Sequence, residues 1–359
     1  MNDISKIDKN LLIKTTIEKD DVVFHDAESE PMKLLGIFRE GDCLRRMPMD
    51  VARSVNEGVY SLHACSAGGR VLFETDSPYV AIYAEYAAFS KMPHEAFSGS
   101  SGFDMYEEVG DIQKHVHTFV PSITTVDVLQ GIRDFGIKKQ RKLTINFPLY
   151  SEVKKLYIGL QKESTLRPYN PYRDIPPIVY YGSSITQGGC ASRAGMSYQG
   201  ILSRRLNVDY LNLGFSGSAK AEKAISDYIQ TLDMSIFVYD YDHNAPTTEH
   251  LEKTHERMFL EIREKRPTLP IVMMNRPCFM PPNSPYYERK KVVEATYLRA
   301  KERGDENVYF VSGEEQTALC GTEGSVDLTH PTDLGFMSMA LALEKVLSKI
   351  LDKTYKNID

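Results

Sequence analysis

Two adjacent serines, Ser183 and Ser184, follow directly on the apolar run Pro177-Ile-Val-Tyr-Tyr181 and a glycine, Gly182. A buried strand that breaks at a glycine can hold a hydroxyl at the open edge of a sheet, where a base that takes its proton makes it a nucleophile. Ser184 is read as that nucleophile. A base stands near the C-terminus in Asp327-Leu-Thr-His330. Three residues apart in one loop, Asp327 can accept from one imidazole nitrogen of His330 while the other nitrogen faces the serine, which fixes the tautomer and stabilises the imidazolium formed during attack. Charge developing on a carbonyl oxygen also needs donors. Asn212-Leu-Gly-Phe-Ser-Gly-Ser218 offers Gly214 and Gly217, where backbone N–H groups can approach a ligand without a Cβ in the way. Asn244, at the end of Asp240-Tyr-Asp-His-Asn244, can aim a side-chain amide at the same charge, a contribution of ~3 kcal/mol in comparable sites.

Taken singly, each set also has an ordinary structural use. Gly-Ser-Ser serves as a strand-to-helix turn with a serine capping the helix, the glycine-rich stretch as a flexible turn, and Pro331 with Thr332 as a helix start. Asp240, Asp242 and His243 are metal-ligand types, but residues two apart at an extended strand end alternate in direction, and no second ligand cluster accompanies them. Neither a metal nor an organic cofactor is called for. The glycine-rich stretch lacks the third glycine of a dinucleotide fingerprint and the lysine of a phosphate loop. His250 and His255, five apart, are expected on a helix without a shared face, both in solvent.

The elements that must position these residues alternate strictly from residue 177 onward. The pattern predicts strands over 177–181, 209–213, 235–240, 270–274 and 307–311, and helices over about 196–206, 219–231, 247–265, 283–303 and 333–351. Such alternation implies right-handed crossovers, a parallel sheet, and ligand chemistry at the carboxyl ends of the strands, where all four residue sets fall. Ahead of it, Arg167-Pro-Tyr-Asn-Pro-Tyr-Arg-Asp-Ile-Pro-Pro177 carries four prolines and reads as a stiff extended connection. The expected division is therefore residues 1–167 and 168–359.

The first part reads as short β-type runs between turns: 22–24, 34–38, 58–62, 69–75, 79–84, 115–119, 124–129, 142–147 and 155–160. Their spacing favours an antiparallel sandwich or jelly roll of roughly eight strands. At 359 residues, 42% apolar and 26% charged, the chain suits a large globular core. A net charge of −6 without a long basic run argues against nucleic acid and against anionic membrane surfaces as partners. No stretch approaches the ~18 consecutive apolar residues of a spanning helix, and the start is too charged for a leader, so the expectation is a cytoplasmic protein. Five scattered cysteines, Cys43, Cys65, Cys190, Cys278 and Cys320, fit reduced thiols.

With the four sets in order, the chain resembles an SGNH (GDSL-type) hydrolase. The family's Ser, Gly, Asn and His blocks match Ser184 in Gly-Ser-Ser-Ile-Thr, Gly217, Asn244 and His330 in Asp-Leu-Thr-His. Gly102-Phe-Asp-Met-Tyr106 resembles the Gly-x-Asp-Leu-Tyr signature of a β-rich domain ahead of some of these hydrolases, in a subgroup similar to carbohydrate esterases. By itself that pentapeptide reads as a β-turn with Asp104 bonding local backbone. The resemblance implies a flavodoxin-like sandwich, a Ser184-His330-Asp327 triad, and an oxyanion hole from the Ser184 and Gly217 N–H groups plus the Asn244 amide. It also selects Ser184 over Ser183, which stands where the family has Asp; Asp242-His-Asn-Ala245 likewise departs from the usual Gly-x-Asn-Asp. The implied activity is removal of small acyl groups, acetyl first, from an acylated carbohydrate. A lipid or general short-chain esterase and a non-catalytic carbohydrate binder are the alternatives, homo-oligomerisation is left open, and Tyr169 and Tyr172 are weighed as sugar platforms against packing between the two parts.

Overall fold

A computed structural model describes residues 16–125, 127–280 and 286–355. The second half carries a five-stranded parallel sheet in the spatial order Tyr210–Gly214, Ile178–Gly182, Ile236–Asp240, Ile271–Met274, Val308–Val311. Each predicted strand is present, displaced by a residue or two. Ile178–Gly182 is buried at every position because both faces are covered. Ile178 and Tyr180 pack towards the helices Tyr198–Leu206 and Asp333–Thr354. Val179 and Tyr181 face the core shared with Lys223–Thr231, Thr248–Lys265 and Tyr286–Glu302. This is the doubly wound order of the flavodoxin type, in which the chain reverses direction across the sheet beside its first strand. In register, Gly182 lies opposite both Gly214 and Asp240, so three of the four chemical sets start from neighbouring strand ends.

The first half forms two large antiparallel sheets and a small two-stranded one, Phe38–Glu40 with Cys43–Arg45. One large sheet runs Val22–Asp26, Glu152–Gln161, Tyr79–Ala88, Val128–Asp134; the other runs Leu166–Arg167, Arg70–Thr75, Arg141–Asn146, Phe103–Val109, Ile112–Phe119, with Lys33–Leu35 on Arg70–Thr75. Ile82, Ala84, Leu156 and Ile158 of the first sheet meet Phe73, Phe103, Met105 and Ile145 of the second in one buried cluster.

Four expectations about local structure need correction. The β-run expected over 124–129 is instead the strand Val128–Asp134, with residue 126 outside the described residues. Residues 58–62 are not a strand but the helix Glu57–Leu62, following another helix, Met49–Val55. Asn56 starts the second helix by accepting from the Val59 N–H at 2.8 Å. Gly102–Tyr106 is not a turn: Phe103–Val109 is a strand, and Asp104, wholly buried, accepts from Asn146 Nδ2 (2.8 Å) and from the distant Gly195 N–H (3.0 Å). His255 is buried rather than solvated, because Leu251, Met258, Phe259 and Ile262 place it on the apolar stripe of its helix. There it stacks on Tyr239 at 4.7 Å and its Nδ1 meets Thr296 Oγ1.

Buried arginines join the two halves beneath the site. Arg46 donates to the carbonyls of Asn212 (3.1 Å) and Gly214 (2.8 Å), and Arg70 pairs with Asp209 and lies 4.0 Å over the Tyr210 ring. Tyr169 and Tyr172 belong to this contact. The first is 7% exposed and donates to Glu108 at 2.6 Å; the second lies under Arg70. Tyr169 is a packing residue and no open platform for a sugar, and Tyr172, half-buried, packs against the Arg70 guanidinium. All five cysteines are free thiols.

Candidate active site

Ser184 is the first residue of a four-residue helix, Ser184–Gln187, that springs from the end of the first parallel strand. The neighbouring Ser183 caps it, its Oγ accepting from the Ile185 N–H at 3.2 Å, and is fully buried. One serine is therefore consumed by the turn. The other is free to point at His330: Ser184 Oγ lies 2.9 Å from His330 Nε2. His330 Nδ1 in turn lies 2.8 Å from Asp327 Oδ2. Asp327 Oδ1 accepts from the backbone N–H groups of Thr329 (3.0 Å) and His330 (2.7 Å), so the carboxylate builds its loop as well as holding the ring. Against the desolvation of its partial burial, the bonds from His330 keep Asp327 below the ordinary carboxylate value. Ionised, it accepts the Nδ1 hydrogen and leaves Nε2 as the lone pair facing the serine.

Around the Gly217 turn the backbone donors divide unequally. The Ser216 N–H goes to Gln187 Oε1 (3.0 Å) and the Ser218 N–H to the Phe215 carbonyl (2.9 Å); between them the Gly217 N–H has no partner among the described residues. Gly217 has φ +67°, a conformation that side chains disfavour. Gly214 is required by proximity instead, since a Cβ there would stand 2.1 Å from the Gln187 nitrogen. Asn244 ends a short 3-10 turn and donates one Nδ2 hydrogen to the Phe215 carbonyl at 2.9 Å, which aims the amide and leaves its second hydrogen uncommitted.

Asp240, Asp242 and His243 do not converge as a metal set. Asp240 faces Tyr198 OH (3.5 Å), whereas Asp242 accepts the Arg276 N–H at 3.1 Å. Burial, reinforced by Asp242, pushes the Asp240 carboxyl far up; burial takes Asp242 up to about 6 and His243 down to about 3. His243 is accordingly a neutral ring beside the site at ordinary pH.

Several residues of this neighbourhood carry no sequence signal strong enough to single them out. Gln187, one turn after Ser184, clamps Ser216 on one side and donates to the Leu149 carbonyl of the first half at 3.2 Å. Arg276, just past the fourth strand, donates to the Leu328 carbonyl at 3.3 Å and so ties down the His330 loop; the polar Asn275-Arg276 pair after Val-Met-Met was the available clue. The first half contributes Tyr150, whose hydroxyl donates to the Ser184 carbonyl at 3.3 Å, and the segment holding His94 and Glu95. The His94 ring lies 5.6 Å from that of His330. Glu95 Oε2 is buried without a partner among the described residues, and burial pushes the carboxyl up to about 8.

Two family models match the chain. Residues 176–348 match the model of the GDSL-like lipase/acylhydrolase family, and residues 22–166 match that of the N-terminus of SGNH-hydrolase-type esterases, the GxDLY domain. The chain belongs to the SGNH (GDSL-like) hydrolases. This SGNH hydrolase is an esterase with the GxDLY type of N-terminal half. Its fold is shared with a protein described as a GDSL-like lipase from Bacteroides ovatus, at 26% identity and TM-score 0.83, covering 92% of this chain and 98% of that one. A salicylyl-acyltransferase from a tetracycline biosynthetic pathway superposes with TM-score 0.74 at 16% identity, covering 92% and 98%. An acetyl xylan esterase from the rumen bacterium Butyrivibrio proteoclasticus does so with TM-score 0.59 at 12% identity, covering 93% and 99%. No curated protein matches the chain in sequence. Among the described residues, no helix is long and apolar enough to cross a membrane.

Proposed function

We propose that this esterase removes small acyl groups, acetyl in particular, from acylated carbohydrate through an acyl-enzyme on Ser184. The observation that carries the reading is the unbroken chain from Ser184 Oγ to His330 Nε2 at 2.9 Å and from His330 Nδ1 to Asp327 at 2.8 Å. His330 takes the serine proton as Oγ attacks the ester carbonyl, and Asp327 stabilises the imidazolium so formed. The Ser184 and Gly217 N–H groups and the second hydrogen of Asn244 Nδ2 serve the oxyanion. The imidazolium returns its proton to the departing alcohol; water activated by His330 then releases the acid and restores the serine.

The carbohydrate part rests on two supports. One is the fold shared with an acetyl xylan esterase. The other is Glu95, a carboxyl of the first half whose Oε1 lies beside Gly189 and whose buried Oε2 has no partner among the described residues, suited to a sugar hydroxyl. Acetate release from acetylated oligosaccharides, compared with hydrolysis of p-nitrophenyl esters of increasing chain length, tests the reading. Efficient release from the sugars with a steep fall beyond short acyl chains is expected. Preference for long chains would make it a lipid esterase instead.

A further inference from the structure

His94, Cys190 and His330 each offer a donor atom to one point: an imidazole nitrogen, a thiol sulfur and a second imidazole nitrogen, all within 4.8 Å of one another. They come from three separate parts of the chain. His94 sits in an exposed turn of the first half, closed by the Glu95 N–H on the Met92 carbonyl at 3.1 Å. Cys190 follows Gly188-Gly189 after the Ser184 helix and is 9% exposed. It is held at φ +72°, a left-handed conformation that costs a non-glycine residue about 1–2 kcal/mol and fixes the direction of its side chain. In His330, Nδ1 is engaged by Asp327, so Nε2 is the nitrogen left for a ligand. Two imidazoles and a thiol select soft or borderline cations over magnesium or calcium.

From this geometry we propose that His94, Cys190 and His330 form a binding site for a soft divalent cation of the zinc type, and that its occupation switches the esterase off. The proposal rests on the reading of His330 as the catalytic base, because the atom the cation takes is the atom that would accept the serine proton. A tetrahedral zinc with nitrogen at about 2.0 Å and sulfur at about 2.3 Å needs donors about 3.3–3.6 Å apart. Cys190 and His330 are fixed by their surroundings, and the exposed His94 closes the difference by rotating its side chain. Binding exchanges the thiol proton of Cys190 for the metal: Zn2+ and the thiol give a zinc thiolate and a released proton, with no change of oxidation state. The three protein donors leave a fourth position for water or for the Ser184 hydroxyl, 2.9 Å from His330 Nε2.

The test has two independent arms, both begun on metal-free protein. Cadmium binding is followed through the ultraviolet thiolate-to-metal charge-transfer band, and zinc binding by calorimetry. One equivalent is expected, with affinity falling by roughly tenfold or more in Cys190→Ser and in His94→Gln. The Ser184→Ala protein should bind as wild type does, so this arm stands whatever the fate of the catalytic reading. In the activity arm, zinc but not magnesium should abolish p-nitrophenyl acetate turnover and a chelator should restore it. Cys190→Ser and His94→Gln should keep basal turnover and need roughly tenfold more zinc. Binding that is absent, or unchanged in both variants, would overturn the site. Binding as predicted without loss of turnover would overturn its inhibitory role and count against His330 as the base.

Discussion

Replacing Asp327 by Asn tests the orientation of the base more sharply than deleting the nucleophile. In the native loop Asp327 Oδ1 accepts two backbone N–H groups, at 3.0 and 2.7 Å, while Oδ2 accepts from His330 Nδ1. An asparagine must keep its carbonyl on those backbone donors, which turns its NH2 group towards Nδ1. The ring then carries its proton on Nε2 and cannot accept one from Ser184. Lost electrostatics add to this. An imidazolium and a carboxylate about 4 Å apart attract by about 4 kcal/mol at an effective dielectric of 20 and about 1 kcal/mol in water. The Asp327 side chain is 43% exposed, so screening places its contribution between these, at about 2–3 kcal/mol. Adding ~1–2 kcal/mol for restoring the productive tautomer, the barrier rises by about 4 kcal/mol and kcat falls roughly 10³-fold. That is less than the ~10⁴-fold loss where the equivalent carboxylate is fully buried. KM for p-nitrophenyl acetate should hardly change, because the carboxylate does not touch substrate. A variant within about threefold of wild-type kcat would refute the assignment of Asp327 as the orienting acid.

Other consequences can be measured alongside. Asn244→Ala removes one oxyanion donor and should lower kcat by about 10²–10³-fold; an unchanged kcat would remove Asn244 from the site. Glu95→Ala should raise KM for acetylated oligosaccharides while leaving p-nitrophenyl acetate kinetics nearly unaltered, and parallel losses on both substrates would deny it a role in sugar recognition. Asp242 has a folded pKa of about 6, above the ordinary carboxylate value, so ionising it works against the fold. The penalty is absent below about pH 4, grows as pH rises from there to 6, and levels off at about 3 kcal/mol above that. Asp242→Asn should therefore melt at a higher temperature than wild type at pH 7.5, with the difference vanishing towards pH 4; a constant offset across that range would contradict the cause assigned.

The parallel half was legible because physical chemistry makes its strands conspicuous. A run such as Ile178–Tyr181, covered on both faces, has no polar position to confuse its reading, and each strand is followed by a helix long enough to show its period. Ser184 was visible as a hydroxyl at a strand end and Asp327 with His330 as a pair in one loop, and the structure puts the three within hydrogen-bond reach. The first half was harder. Residues 58–62 alternate like a strand, but Asn56 caps a helix there and Val59 is buried in the core beside the preceding helix. The burial of His255 does not show in its spacing from His250; Leu251, Met258, Phe259 and Ile262 define its face. The presence of His94 beside a loop more than two hundred residues away follows from packing between halves, which no local pattern encodes. The same holds for Asp104, whose buried carboxylate reaches Gly195 across that contact.

The central claim is that Ser184, and not its capping neighbour Ser183, carries the acyl group. Labelling with a serine-reactive fluorophosphonate, followed by peptide mapping in the mass spectrometer, addresses it directly. Wild type and Ser183→Ala should be modified on Ser184, and Ser184→Ala should remain unmodified and lose p-nitrophenyl acetate turnover by several orders of magnitude, about 10⁶-fold in comparable hydrolases. A label found on Ser183, or a Ser184→Ala protein that turns over near the wild-type rate, would contradict it.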